Sequence, residues 1–246
     1  MSPEAFAPAP DWFEEYFGEE YLLLYPHRDA EDAERLVELL CRTVGLQPGW
    51  RVLDVACGTG RHGAAFRARG ARVVGLDLSQ QLLHRAQSTA RLPVVRSDVR
   101  RIAVRAGTMD FTVNLFTSFG YFALDAEHVR ALREMVATIR ARGWFALDFL
   151  NALRVPAELI PREEGELAGR PVRIHRWLDP AGQYVFKSIT TDDGRRFVER
   201  VRLFTSGELE GLISTAGCRI SVRLGDYDGG ALAADSPRVI LAGQVA

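Results

Sequence analysis

Three aspartates close three apolar runs in the first half of the chain: Val52-Leu53-Asp54, Val73-Val74-Gly75-Leu76-Asp77 and Val94-Val95-Arg96-Ser97-Asp98. Between the first two lies Ala56-Cys57-Gly58-Thr59-Gly60-Arg61-His62-Gly63. Strand-end carboxylates beside a glycine elbow suit one kind of chemistry. The elbow lets backbone amides approach a ligand closely, and a carboxylate after the second strand can accept both hydroxyls of a ribose. The residues therefore point to an adenosine-bearing ligand held at the tips of a βαβαβ unit.

Two cofactor classes compete for that geometry. Gly58-Thr59-Gly60-Arg61-His62-Gly63 matches the G-x-G-x-x-G of dinucleotide enzymes. Dinucleotides, however, set a pyrophosphate on the helix N-terminus, where a buried carboxylate just before the elbow would repel it. Asp54 occupies that place. A carboxylate there suits a ligand with a cationic amino end, as in S-adenosylmethionine, which carries an ammonium and a sulfonium. Asp98 adds an acceptor where an adenine amino group would lie.

With those residues in view, Val52-Leu53-Asp54-Val55-Ala56-Cys57-Gly58-Thr59-Gly60 resembles the first motif of the class I S-adenosylmethionine-dependent methyltransferases. Gly75-Leu76-Asp77-Leu78-Ser79 is similar to the second motif, Ser97-Asp98-Val99 to the third, and Met109 to Phe116 to the fourth. The resemblance is close from about Arg51 to Phe149 and loose elsewhere. Ala56 departs from the family pattern, which often has glycine; alanine is tolerated there if its backbone angles are ordinary. The resemblance implies a cofactor site built from Tyr16, Asp54, Ala56, Gly58, Gly60, Arg61, His62 and Asp77, with Ser97, Asp98, Leu115 and Phe116, and with Leu78 and Val99 sandwiching the adenine. It also implies an acceptor site near Tyr21, Tyr25, Phe119, Tyr121 and Phe149, with small-molecule methylation favoured, at nitrogen ahead of oxygen.

Elements that could position these residues follow from periodicity. Asp29 can cap a helix from about Ala30 to Val44, whose apolar face repeats at helical spacing, and Gly45 suits its stop. Strands at Arg51–Val55, Arg72–Asp77, Val94–Arg96, Asp110–Leu115 and Trp144–Phe149 alternate with helices at Arg61–Arg69, after Ser79, and at Ala126–Ala141. From about Pro161 to Phe204 the pattern becomes strand after strand, with turns at Asp179-Pro180-Ala181-Gly182 and Asp192-Asp193-Gly194. Thr205 to Glu208 reads as a capping box for a last helix. The expected fold class is α/β: a doubly wound, seven-stranded, mostly parallel Rossmann-like sheet. The resemblance implies its antiparallel C-terminal hairpin, formed by strands near Cys218–Leu224 and Arg238–Gln244, and a small antiparallel β insertion joins it. The expected division is an N-terminal helical cover at 1–45, the cofactor domain at 46–160 and 205–246, and a β cap at 161–204.

Composition sets limits. With 246 residues, 47% apolar and 26% charged, the chain can bury a full core. A net charge of -1 argues against a dominant face for polyanions. Lys187 is the only lysine, a compositional bias from which no function follows. Cys41, Cys57 and Cys218 are few, odd in number and far apart, as in a reducing compartment. No apolar run approaches a membrane span, so a soluble cytoplasmic protein, monomer or homodimer, is expected, and no metal is proposed.

Some residues carry weaker expectations. Arg61 and His62 open a helix at its positive end, where an anionic partner such as a methionine carboxylate would suit them. Tyr16, Tyr21 and Tyr25 could anchor a lid that excludes water, or simply staple the first helix to the sheet. If the acceptor is a hydroxyl, Tyr121, His175 or Asp148 could take its proton. His84 and His128 read as surface residues on helices. The competing functions are an RNA methyltransferase using Arg173, Arg176, Arg195 and Arg196, an NAD(P)-dependent oxidoreductase, and a binding module without catalysis.

Overall fold

A computed structural model describes residues 11–13, 17, 30–167 and 169–246. Strands β1 (Arg51–Val55), β2 (Arg72–Asp77), β3 (Val94–Arg96), β4 (Met109–Asn114), β5 (Ile139–Leu150), β10 (Cys218–Leu224) and β11 (Arg238–Val245) form one seven-stranded sheet in the order β10-β11-β5-β4-β1-β2-β3. The pairs among β1 to β5 are parallel, and β11 is antiparallel to both β5 and β10. The fold class expected from sequence is the fold observed. After β1 the chain winds to one side through β2 and β3, then returns to start β4 on the other side of β1. That reversal opens a crevice at the carboxyl ends of β1 and β4, the place where such sheets bind ligands.

Alternation along the strands builds two cores. Val52, Val73, Phe111, Val113 and Ile240 pack one face against helices α1 (Ala30–Val44) and α2 (Arg61–Ala68). Leu53, Val55, Leu76, Phe145, Leu147 and Leu241 pack the other face beneath α4 (Asp125–Ala137) and α6 (Ser206–Thr215). Helix α3 (Gln80–Ser88) follows β2, with the Ser79 hydroxyl accepting the Leu82 N–H at its start. The Thr205–Glu208 capping box forms as expected, and no described helix is long and apolar enough to cross a membrane. Asp29 lies outside the described residues.

One boundary differs. The helix expected to reach Ala141 ends at Ala137, because Thr138 turns its hydroxyl back to the Met135 carbonyl (2.7 Å). The following strand starts at Ile139, and Arg142-Gly143 is an irregularity within it: Arg142 takes φ 60° and the register with β4 slips between Met109 and Phe111.

After the short helix α5 (Val155–Glu158), the insertion is a separate four-stranded antiparallel sheet of β6 (Arg162–Leu167), β7 (Arg170–Leu178), β8 (Tyr184–Thr191) and β9 (Arg196–Arg202). Sequence reasoning gave three of these strands. The edge strand β6 is charged and largely exposed, so it carries no apolar alternation to reveal it. Acidic residues offset the basic ones: Arg176 pairs with Glu163 (2.8 Å) and Arg195 with Asp193 (3.0 Å). His175 is exposed on β7 and stacks on Trp177, so it is no base for the crevice.

Arg200 on β9 is unusual. Its Nε and Nη2 are buried without a hydrogen-bond partner among the described residues, and its guanidinium lies 5.5 Å from the Tyr184 ring centre. Burial lowers its pKa, with Tyr184 and Glu127 opposing. A desolvated cation lacking direct acceptors contributes little to stability. Arg200→Met keeps most of the stem and removes the charge, so thermal unfolding is expected to show stability unchanged or raised by about 1 kcal/mol. A loss above about 2 kcal/mol would refute this account.

Candidate active site

The elbow after β1 is sharply bent. Ala56, Gly58 and Gly60 take φ values of 57°, 56° and 83°. For Gly60 the space is as restrictive as the angle, since a Cβ would lie 2.7 Å from Leu92 Cδ1. Ala56 does not keep ordinary angles, so the condition for tolerating alanine there is not met; an L-residue in this left-handed region costs about 1–2 kcal/mol. The bend is tied to β2, where the Cys57 N–H donates to the Leu76 carbonyl (2.9 Å) and the Gly58 N–H to Asp77 Oδ2 (2.9 Å).

Asp77 thus fastens two turns, because its Oδ1 accepts the Ser79 N–H (2.9 Å). Burial raises the Asp77 pKa, and the amides of Ser79, Gly58 and Leu78 oppose the rise. Asp54 is 1% exposed, and its Oδ2 has no hydrogen-bond partner among the described residues. Burial pushes its pKa up to about 7; the Gly63 amide opposes this, Asp77 adds to it, and Arg61 opposes it. A buried acceptor in that state has capacity for a cationic donor.

Asp98 is bound more firmly than expected. Arg100 donates Nε (3.0 Å) and Nη2 (2.6 Å) to its Oδ2, and the Arg100 N–H donates to Oδ1 (2.7 Å). Burial alone would raise its pKa, but these bonds leave it lowered. Arg100 also reaches Asp11 (3.1 Å) and Glu127 (2.6 Å), joining the loop after β3 to an N-terminal residue and α4.

Beside the elbow lies a cavity of about 520 Å³. Of the residues expected in the site, Ala56, Gly58, Arg61, His62, Asp77, Leu78, Asp98, Val99, Leu115, Phe116, Phe119 and Tyr121 line it. Asp54, Gly60, Ser97 and Phe149 stand behind its wall. The Ser97 hydroxyl is used within a turn, donating to the Arg101 carbonyl (2.7 Å) and accepting the Ala103 N–H (3.1 Å). Phe149 is fully buried against Phe119 and Phe204. Tyr16, Tyr21 and Tyr25 lie outside the described residues. Arg61, expected to seek an anion, has its guanidinium 4.2 Å from the centre of the Phe116 ring.

Several wall residues lie outside the expected site: Phe13, Phe17, Arg85 and Thr89 among them. Phe13 and Phe17 stand four residues apart in the sequence, and that spacing is their only signal. Trp12 Nε1 donates to the Tyr121 carbonyl (3.3 Å), and the Ser79 hydroxyl donates to the Phe17 carbonyl (2.5 Å). Tyr121 spends its proton on the Thr117 carbonyl (2.9 Å).

Two expectations fail here. His128 is fully buried rather than on the surface, ringed by Phe119, Phe122 and Phe204 at 5.2, 5.1 and 5.0 Å. Burial depresses its pKa to about 4, so it is a neutral packing residue. Asp148 is also fully buried, with its carboxylate engaged by Arg238, Tyr227 and the Phe116 N–H, which leaves it unsuited to act as a base.

A family model described as a methyltransferase domain matches residues 52–143, which span the elbow, all three aspartate-tipped strands and β4. The chain is 28% identical over 193 residues to a dTDP-3-amino-3,4,6-trideoxy-alpha-D-glucopyranose N,N-dimethyltransferase of Streptomyces venezuelae, covering 72% of this chain and 79% of that one. It is 27% identical over 115 residues to YqeM of Bacillus subtilis, named provisionally as a methyltransferase; the match takes 45% of this chain and spans about half (46%) of YqeM. Among solved structures, an S-adenosylmethionine-dependent methyltransferase from Clostridium acetobutylicum superposes with TM-score 0.78 at 15% identity, covering 92% of this chain and 97% of that one. At that identity the likeness speaks for the fold.

Proposed function

Because the chain belongs to the class I S-adenosylmethionine-dependent methyltransferases, we propose that it methylates a small-molecule acceptor at an amine nitrogen. The described residues fit the cofactor. Asp77 would hold the ribose, Leu78 and Val99 the adenine with Asp98 at its edge, and Asp54 with the elbow glycines the cationic amino acid end. When bound, the sulfonium supplies an activated methyl group on an excellent leaving group. The protein's share is alignment, and well-oriented reactants can gain on the order of 7–11 kcal/mol.

The observation that carries nitrogen over oxygen is the state of the acceptor wall. Its aromatic part is built of Phe13, Phe17, Phe119, Tyr121 and Phe122, with Ser118 of the same loop beside them, and the Tyr121 hydroxyl already donates to the Thr117 carbonyl. A hydroxyl acceptor requires a base beside it; a neutral amine needs only orientation and dry surroundings. Aromatic faces also favour a nitrogen that gains positive charge as the bond forms. Tyr121 would then orient the amine through its ring and oxygen. The second sheet supports a role as cap: the Arg202 N–H at the end of β9 donates to the Gly120 carbonyl (2.8 Å) in the cavity loop. The Streptomyces relative, whose name gives an amino sugar as acceptor, makes amino sugars the first candidates.

The test is release of S-adenosylhomocysteine when the protein and S-adenosylmethionine meet matched pairs of small amines and alcohols. An amine is expected to turn over, with the rate rising with pH until the substrate amine is neutral and then levelling. Turnover confined to alcohols, or to RNA, would sink the proposal.

A further inference from the structure

Two consecutive residues after β4, Phe116 and Thr117, adopt left-handed backbone angles, with φ of 57° and 59°. Neither is glycine, and Thr117 is branched at Cβ, so an unsupported chain would abandon this turn. Its support comes from distant parts of the sequence. Asp148, at the carboxyl end of β5, accepts the Phe116 N–H on Oδ2 (2.9 Å), and its own carbonyl accepts the Thr117 N–H (3.0 Å). Arg238, which opens β11, donates Nε to Asp148 Oδ1 (2.8 Å) and Nη2 to Thr117 Oγ1 (3.1 Å). Tyr227 donates its hydroxyl to Asp148 Oδ2 (3.0 Å). Two guanidinium groups lie near the Phe116 ring centre, Arg61 at 4.2 Å and Arg238 at 5.7 Å.

From this arrangement we infer that Asp148, Arg238 and Tyr227 are positioning residues, a buried brace that holds the Phe116–Thr117 turn so that Leu115, Phe116 and Ser118 form one wall of the cavity. None of the three lines the cavity. They act through backbone bonds and through the Phe116 ring. Charge pairing explains the choice of residues: a buried carboxylate can accept an amide, a guanidinium and a hydroxyl at once, and each charge-assisted bond restricts the turn. A turn built from ordinary residues and locked from behind presents a full aromatic ring where glycine would present none. The inference leans on the methyltransferase reading only for the ligand used to probe it.

The experiment compares wild type, Asp148→Asn, Tyr227→Phe and Tyr227→Phe/Thr117→Gly. Calorimetric titration with S-adenosylhomocysteine is joined to hydrogen exchange at the Phe116 and Thr117 amides. Asn at 148 can still accept the Phe116 N–H but strips Arg238 of its counter-charge, so affinity is expected to fall about tenfold and exchange at both amides to quicken. Tyr227→Phe removes one hydroxyl and is expected to cost about threefold. Glycine at 117 holds a positive φ without help, so the double variant is expected to recover affinity to within about twofold. A general loss of stability would not be repaired by one glycine in this turn. Unchanged affinity and exchange in the single variants would overturn the inference, as would a loss that Thr117→Gly fails to repair. Should Asp148→Asn not fold, the Tyr227 pair decides alone. If wild type does not bind S-adenosylhomocysteine, the cofactor reading fails, while the exchange rates still decide whether the brace exists.

Discussion

Asp77→Ala is expected to weaken S-adenosylmethionine binding by about a hundredfold or more, a loss of roughly 3 kcal/mol. Two separate effects add. The ribose loses its carboxylate partner, and hydrogen bonds to a charged group are worth about 1.5–3 kcal/mol. The elbow also loses its tie: the Gly58 and Ser79 amides, which now donate to Asp77 at 2.9 Å each, are left to water or to nothing. An unsatisfied buried amide costs about 1–3 kcal/mol, so the variant should also unfold several degrees lower. Asp77→Asn separates the two effects. Its amide group keeps one acceptor oxygen but offers an N–H where the other amide needs an acceptor, so stability should fall partway while ribose binding remains badly impaired. Titration calorimetry and thermal unfolding on the three proteins would check this. An Ala variant that binds within threefold of wild type would end the assignment of Asp77 to the ribose.

Local chemistry explains what the sequence alone makes legible. The run from Arg51 to Asp98 carries its own instructions: β-branched residues in register, glycines where φ must be positive, and carboxylates at tips that only a crevice could use. The same holds for Ser79 and Thr205 as caps and for the two Asp-containing turns of the insertion, because their partners are a few residues away. What escaped depends on partners far off in the chain. His128 reads as a polar residue on a helix, and only the arrival of Phe204 from the far side of the insertion seals it in. Asp148 reads as a spare carboxylate near an active site until Arg238 and Tyr227 are seen against it. Phe13 and Phe17 have helical spacing in either role, so periodicity alone cannot tell a cavity wall from a packing staple. Ala56 shows a third limit: the sequence cannot report that alanine is held at a glycine-like angle when surrounding bonds enforce it.

Cofactor affinity is expected to rise with pH through about 7, and Asp54 sets the direction. Its folded pKa of about 7 stands above the ordinary 3.8, chiefly because burial disfavours the charge. The protonated carboxyl therefore favours the folded state fully below 3.8, and that contribution is lost as pH climbs toward 7. His128 works the other way: its pKa, lowered to about 4 from 6.5, contributes stability that is lost as pH falls through that interval. The two slopes oppose each other between pH 4 and 6.5, so stability against pH would not isolate Asp54. Binding does isolate it. A cationic ligand group bound at the elbow, in front of buried Asp54, favours the ionised carboxylate through their charge interaction, so binding releases a proton below pH 7 and not above it. Affinity should improve about tenfold or more from pH 5.5 to 7.5, then decline above about 8 as the ligand's own α-amino group loses its proton. Asp54→Asn removes the titrating group and should flatten the rising limb while leaving the decline at high pH. Calorimetry in buffers of different ionisation enthalpy would count the released proton directly. A wild-type rise no steeper than that of Asp54→Asn would show that the ligand's cationic end does not meet Asp54.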